Sequence, residues 1–281
     1  MAGGDILNLL KTRARPMVMG IVNVTPDSFS DGGLAAAPEA ARDHALALIE
    51  QGADVLDVGA ESTRPGAADI GAEEELARLI PALEAIRGAT DAPISVDTRR
   101  AAVARAAVAA GAGLWNDVSA LTYDPASPAV AADLGVPVVL MHAQGPPQTM
   151  QDAPRYRDVV GDVLAYLAAR IGAAVRAGVD RRQLIVDPGI CFGKTLAHNL
   201  TLTAELGRFA ALGCPVLYGA SRKSFIAKID SRAGDPADRL GGSLAAALAA
   251  ADRGAAILRV HDVAATVQAL AVRRAIKEAG A

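Results

Sequence analysis

Eight short runs of β-branched and aliphatic residues each end in, or just before, a side chain that can hydrogen-bond or carry charge. In chain order these side chains are Asn23, Asp57 with Glu61, Asp97, Asn116 with Asp117, His142, Asp187, Ser221 to Lys223, and Arg259 with His261. Carboxylates, amides, imidazoles and cations gathered in one place offer hydrogen bonds to a polar ligand and stabilisation of developing charge. Each has an ordinary explanation when taken singly, because Asn and Asp favour turns and helix N-caps. Their joint meaning depends on whether a fold brings them together.

The apolar runs are MVMGIV from Met17, DVLDV from Asp54, PISVD from Pro93, GLWND from Gly113, VPVVLM from Val136, QLIVD from Gln183, CPVLYG from Cys214 and AILRV from Ala256. They are apolar on both faces, as buried parallel strands are. Between them lie helical periodicities, for example Leu76, Leu79, Ile80 and Leu83, or Val263, Val267 and Leu270, each laying an apolar stripe on one helix face. Pro81 is expected to kink its helix. Eight strands alternating with helices predict a (β/α)8 TIM barrel, with residues 1–281 as one domain. In that fold all the C-terminal strand ends open onto one face, so the polar residues converge on a single mouth.

Composition agrees with a layered α/β protein. Hydrophobic residues make up 52% of the 281 and aromatics only 3%, leaving Ala, Val, Leu and Ile to fill the core. With 28 basic and 31 acidic residues the net charge is −3, which gives no long-range field for nucleic acid or an anionic membrane. Two cysteines, Cys191 and Cys214, do not make a disulfide framework. No secretion-type leader precedes Lys11, Arg13 and Arg15, and a cytoplasmic location is expected. The uncharged stretch from Leu240 to Ala251 is about twelve residues, short of the roughly twenty that span a bilayer, and reads as a buried helix.

Two connections are long and rich in turn residues: VTPDSFSDGGLAAAP after the first strand and GAESTRPGAADIGA after the second. Loops of about fourteen residues in a barrel are usually lids or binding loops, and Phe29, Thr63 and Arg64 give these an aromatic face and donors. After the seventh strand, GASRKSF places Ser221 as an expected N-cap, with the following helix N-terminus, Lys223 and Ser224 disposed to bind an anion.

The segments MGIVNVTPDSFSDGG, DVGAESTRPG, SVDTRR, NDVSAL, MHAQGPPQTMQ, DPGICFGK, GASRKSFI and RVHDV together resemble the dihydropteroate synthase family, from about Val18 to the last helix. The resemblance implies a folate-pathway transferase in which 4-aminobenzoate displaces diphosphate from a hydroxymethyl-dihydropterin diphosphate, with Mg²⁺. It also implies that diphosphate leaves first, so that no protein nucleophile is needed and Asp97 faces the developing pterin cation. Asp97, Lys223 and Arg259 are then the catalytic residues.

The same resemblance assigns pterin binding to Asp97, Asn116, Val118, Met141, Asp187, Gly219 and Lys223. Carboxylates suit the ring N–H donors, and an amide offers both a donor and an acceptor. Diphosphate falls to Asn23, Thr63, Arg64, Arg259 and His261, with Asn23 a metal ligand. The amine, and the sulfonamides that mimic it, fall to Phe29, Thr63, Pro65, Phe192, Lys223 and Ser224. The length and glycine content of both long loops lead to the expectation that diphosphate and Mg²⁺ order them, and the resemblance together with the apolar late helices implies a homodimer packed through the last two helices. His142, Asp57 and Lys194 are expected to be structural, the last two in rim salt bridges. Ala60 and Ala120 stand where the family commonly has Gly, Cys191 interrupts DPGICFGK, and Ala227 closes GASRKSFI. Ala for Gly costs nothing unless the backbone there requires positive φ.

Overall fold

A computed structural model describes residues 2–24, 33–61, 70–145 and 149–280. Its strands are β1 (Met17–Asn23), β2 (Val55–Gly59), β3 (Ile94–Asp97), β4 (Leu114–Asp117), β5 (Val138–Met141), β6 (Leu184–Asp187), β7 (Leu217–Tyr218) and β8 (Ile257–Val260). The helices are α1 (Ala2–Thr12), α2 (Gly33–Glu50), α3 (Gly71–Ala89), α4 (Ala101–Ala109), α5 (Ser127–Leu134), α6 (Val159–Arg176), α7 (Leu196–Ala204), α8 (Leu240–Asp252) and α9 (Val263–Ala279). All eight expected strands form. They pair in parallel in the order β6-β5-β4-β3-β2-β1-β8-β7, and a parallel bridge between Val186 and Val216 brings the two edges together. This is a (β/α)8 barrel, with one strand contact much shorter than the others.

Side-chain alternation along a strand explains why the same short runs serve both core and site. Outward residues such as Val18, Leu56, Val96, Trp115, Leu140, Val186 and Leu258 belong to the main core shared with the helices. Inward residues Met17, Met19, Val55, Leu114, Val139, Ile185, Leu217 and Ile257 form a second, smaller apolar cluster. Further along each strand the inward position becomes Asn23, Asp57, Asp97, Asn116, Met141, Asp187, Gly219 or Arg259. The barrel is therefore filled with hydrocarbon below and with polar groups at its C-terminal mouth.

The lower end is closed by α1. Ile6 is fully buried in the inner cluster, with Leu9 and Leu10 packed against it. Burial of one such side chain contributes about 1.5–3 kcal/mol. Arg13 and Arg15, after α1, each reach the Asp54 carboxylate at 2.6 Å and fasten the plug to the start of β2.

Two details of the sequence reading change. The Leu240–Ala251 stretch is helical, but only one face is buried, through Ser243, Ala247, Ala250 and Ala251, while Leu240 is exposed. Pro81 lies inside helix α3, which continues on both sides of it. No helix starts at Ser221: Arg222 takes a left-handed conformation with φ 57°, residues 224–229 form successive turns, and a short 3-10 helix at Pro236–Arg239 leads into α8. No helix among the described residues is long and apolar enough to cross a membrane.

Candidate active site

The strand register sets the site. Asn23 is paired with Gly59, Gly59 with Asp97, and Asp97 with Asn116, so one row crosses β1 to β4 at a single level. Met141 and Asp187 are paired across β5 and β6. Arg259 comes from β8, and its guanidinium donates from Nε to Asp57 Oδ2 at 2.5 Å and from Nη2 to Asp97 Oδ2 at 2.8 Å. Asp57 Oδ2 also accepts from Asn116 Nδ2 at 3.2 Å. Residues 202 positions apart in the chain thus share a hydrogen bond at the centre of the mouth.

On the opposite wall, Asp187 Oδ1 accepts from the Gly189 amide at 2.7 Å, which shapes the turn after β6. Lys223 reaches across from the segment after β7, donates to the Ile190 carbonyl at 2.6 Å, and lies 4.7 Å from the centre of the Phe192 ring. That distance is within the range of a cation–π contact. His261 is placed by Ser221, whose Oγ accepts from the His261 amide at 3.2 Å and lies 3.1 Å from its Nδ1.

The electrostatics follow from burial. Asp97 is pushed up to about 7, chiefly by loss of hydration; Arg259 opposes this, while Asp57, Glu75 and Asp117 add to it. Burial likewise raises Asp187 against the pull of Lys223, and lowers Lys223 itself. Arg259 is also penalised by burial, but Asp57 and Asp97 outweigh the penalty and hold it in its charged form.

The chain is similar to known proteins in sequence and in fold. Residues 19–261 match the model of the pterin-binding enzymes. The dihydropteroate synthase of Escherichia coli K12 is 48% identical over 259 residues, covering 92% of this chain and 91% of that protein. The chain belongs to the dihydropteroate synthase family. Among solved structures, the Xanthomonas albilineans dihydropteroate synthase with 4-aminobenzoic acid is 55% identical, with a TM-score of 0.88 and 94% of each chain covered. The Yersinia pestis dihydropteroate synthase in a sulfonamide drug complex is 44% identical, with a TM-score of 0.89, covering 94% of this chain and 95% of that one.

Of the residues that the family resemblance singled out, the mouth gathers Asp97, Asn116, Met141, Asp187, Gly219 and Arg259 as inward strand positions, with Lys223 and Phe192 in contact across one wall. Asn23, Val118 and His261 are half-buried, and Ser224 is exposed. Thr63, Arg64, Pro65 and Phe29 lie outside the described residues, as do Ser28 and most of both long loops.

Several strand-end residues play other parts. Asp117 points out of the barrel and accepts from Ser119 and Leu121, closing the turn after β4. Glu61 is held by Arg99 at 2.9 Å and by Arg100, which also grips fully buried Glu75 at 2.6 Å. Without a helix behind Ser221, the expected helix N-terminus for the amine's carboxylate is not formed. Lys194 is not at a rim salt bridge: it is buried, and its Nζ lies 2.9 Å from His142 Nδ1 and donates to the carbonyls of Phe192 and His142. Burial, reinforced by Lys194, takes His142 down to about 3, so the ring is neutral and offers Nδ1 as acceptor. Asp57 is likewise no rim residue but a fully buried partner of Arg259. Its place two positions beyond inward-facing Val55 is the sequence signal that marks it as part of the site.

Proposed function

We propose that this dihydropteroate synthase holds its pterin at the barrel mouth among Asp97, Asn116, Asp187 and Lys223, with Met141, Val118 and Gly219 shaping the cavity around the ring. The observation that carries the reading is the single row of register from Asn23 to Asn116, joined to β8 by the Asp57–Arg259–Asp97 bridge. The substrates are 6-hydroxymethyl-7,8-dihydropterin diphosphate and 4-aminobenzoate, and the products are 7,8-dihydropteroate and diphosphate. The chain acts as one domain over residues 1–281, located in the cytoplasm.

In the reaction the pterin methylene loses its bond to the diphosphate oxygen, whose electron pair leaves with diphosphate. The cation left behind is spread over the ring, and the amine nitrogen then bonds to the methylene and gives up a proton. Asp97, ionised and poorly hydrated, opposes the developing positive charge, and such preorganised charge is a large term in catalysis. Arg259 carries an edge toward the leaving phosphates, His261 and Asn23 add polar contacts, and Thr63 and Arg64 complete the diphosphate site. Phe192, Lys223 and Ser224, with Phe29, Thr63 and Pro65, receive the amine.

Magnesium fits this donor set. Mg²⁺ takes oxygen ligands and keeps several of them as water and substrate phosphate, so a single amide oxygen at the mouth is a donor of the right kind. The Asn23 amide oxygen would hold it from the protein side. When bound, the ion neutralises charge on the leaving diphosphate.

A homodimer is supported by the last helices, where Val272 is 55% and Ile276 68% exposed on α9. The function is tested by incubating the protein with the pterin diphosphate and Mg²⁺, with and without 4-aminobenzoate. The expected outcome is diphosphate and dihydropteroate in equal amounts when the amine is present; no amine-dependent pterin product would overturn the assignment.

A further inference from the structure

Asp57 lies entirely out of solvent at the floor of the mouth, one level above the hydrocarbon packing of the lower barrel. Its register neighbours are Ile21 and Ser95. One oxygen, Oδ2, serves two donors from opposite sides of the barrel, Arg259 Nε at 2.5 Å and Asn116 Nδ2 at 3.2 Å. The other, Oδ1, has no hydrogen-bond partner among the described residues. A buried carboxylate with one oxygen unpaired is a poor choice for stability, since well-packed hydrophobic groups replace buried ion pairs without loss.

What the arrangement does well is fix a direction. A guanidinium held at Nε by one carboxylate and at Nη2 by another cannot rotate about its last bonds. Its hydrogen bonds among the described residues use Nε and Nη2, which leaves the Nη1 donors for a ligand. Asn116 is held by the same carboxylate oxygen, so its amide is oriented with its nitrogen toward Asp57 and its oxygen away.

The geometry points to Asp57 as a positioning residue that aims Arg259 and Asn116 into the site and sets the charge balance felt by Asp97. It shares Arg259 with Asp97, and each carboxylate thereby weakens the other's hold on the cation. The charged groups that act on Asp97 are Arg259 on β8 and Asp57 on β2, which share the mouth with it, Lys223 after β7, and, from outside the barrel wall, Glu75 on α3 and Asp117 on β4. Of these only Asp57 and Asp97 bond the same guanidinium. Removing the Asp57 charge leaves Arg259 to Asp97 alone and removes a repulsion, and both effects favour the ionised form of Asp97.

The inference rests on the reading of Asp97 and Arg259 as groups at the reacting centre. The test is the pH profile of kcat/KM for Asp57→Asn beside the wild type and Asp97→Asn. The acid limb is expected to move to lower pH by about one unit, because a neighbouring like charge has been removed. The KM for the pterin diphosphate is expected to rise about tenfold as Arg259 and Asn116 lose their common anchor. An unmoved limb together with an unmoved KM, whatever the loss in Tm, would make Asp57 scaffold only. If Asp97→Asn is itself nearly as active as wild type, the reading of the reacting centre fails instead. Should Asp57→Asn not fold, the wild type decides: with ¹⁵N-labelled arginine, the Arg259 Nε–H is expected to exchange slowly, and exchange as fast as that of exposed arginines would overturn the proposal.

Discussion

At Asp97 burial and chemistry pull against each other. Loss of hydration disfavours the carboxylate, and the neighbouring acids add to the effect, so Asp97 titrates near 7 instead of at the ordinary 3.8. The folded protein thus binds this proton more tightly than the unfolded chain, and the group's contribution to stability is lost as pH rises from about 4 through about 7. On the proposed mechanism activity runs the other way, because there the ionised form is the one that stabilises the pterin cation. The rate should therefore fall as pH drops through about 7, and Asp97→Asn should lower kcat roughly a thousandfold with little loss of pterin affinity. A pH–rate profile on both proteins checks this; a flat acid side would contradict it. At the same scale, two departures from the family pattern gain physical meaning. Ala120 and Cys191 both have positive φ, 53° and 68°, so these positions use the conformation that Gly adopts without strain, at a cost of about 1–2 kcal/mol each. Ala60 is not in that region and carries no such cost.

Strands were the elements most legible in the chain, because burial on both faces leaves nothing but an apolar run ending in a polar residue. The plug helix α1 was not legible: its three apolar anchors, Ile6, Leu9 and Leu10, mean little until the barrel's open lower end is there to receive them. The segment after Ser221 misled for a local reason, since N-capping residues describe a helix start only if the next residues stay right-handed, and Arg222 does not. Asp57 and Lys194 were read as rim salt bridges because charge suggests surface; inward parity and the close-packed turn at Gly189 show otherwise. That turn has φ 69°, and a Cβ there would overlap the His142 carbonyl oxygen. Separation of plug from site gives a prediction at this scale. Ile6→Ala should cost about 2–4 kcal/mol in urea unfolding while kcat/KM stays within about twofold of wild type. A large loss of activity in the folded variant would show that the lower end is coupled to the mouth.

For the molecule as a whole, the division of the barrel into a hydrocarbon half and a polar half is what makes one site out of residues spread over the chain. The same view explains the outer surface: α9 packs Val263 and Leu270 inward yet leaves Val272 and Ile276 exposed, an apolar face suited to a second copy. Ile276→Asp should shift the protein toward monomer in sedimentation velocity, and an unchanged dimer would move the interface elsewhere. The central claim concerns the other end of the barrel. A crystal structure with 7,8-dihydropteroate tests it most directly: the pterin ring should lie between Asp97, Asn116, Asp187 and Lys223, with its aryl arm toward Phe192. A ring bound away from those four side chains would contradict it.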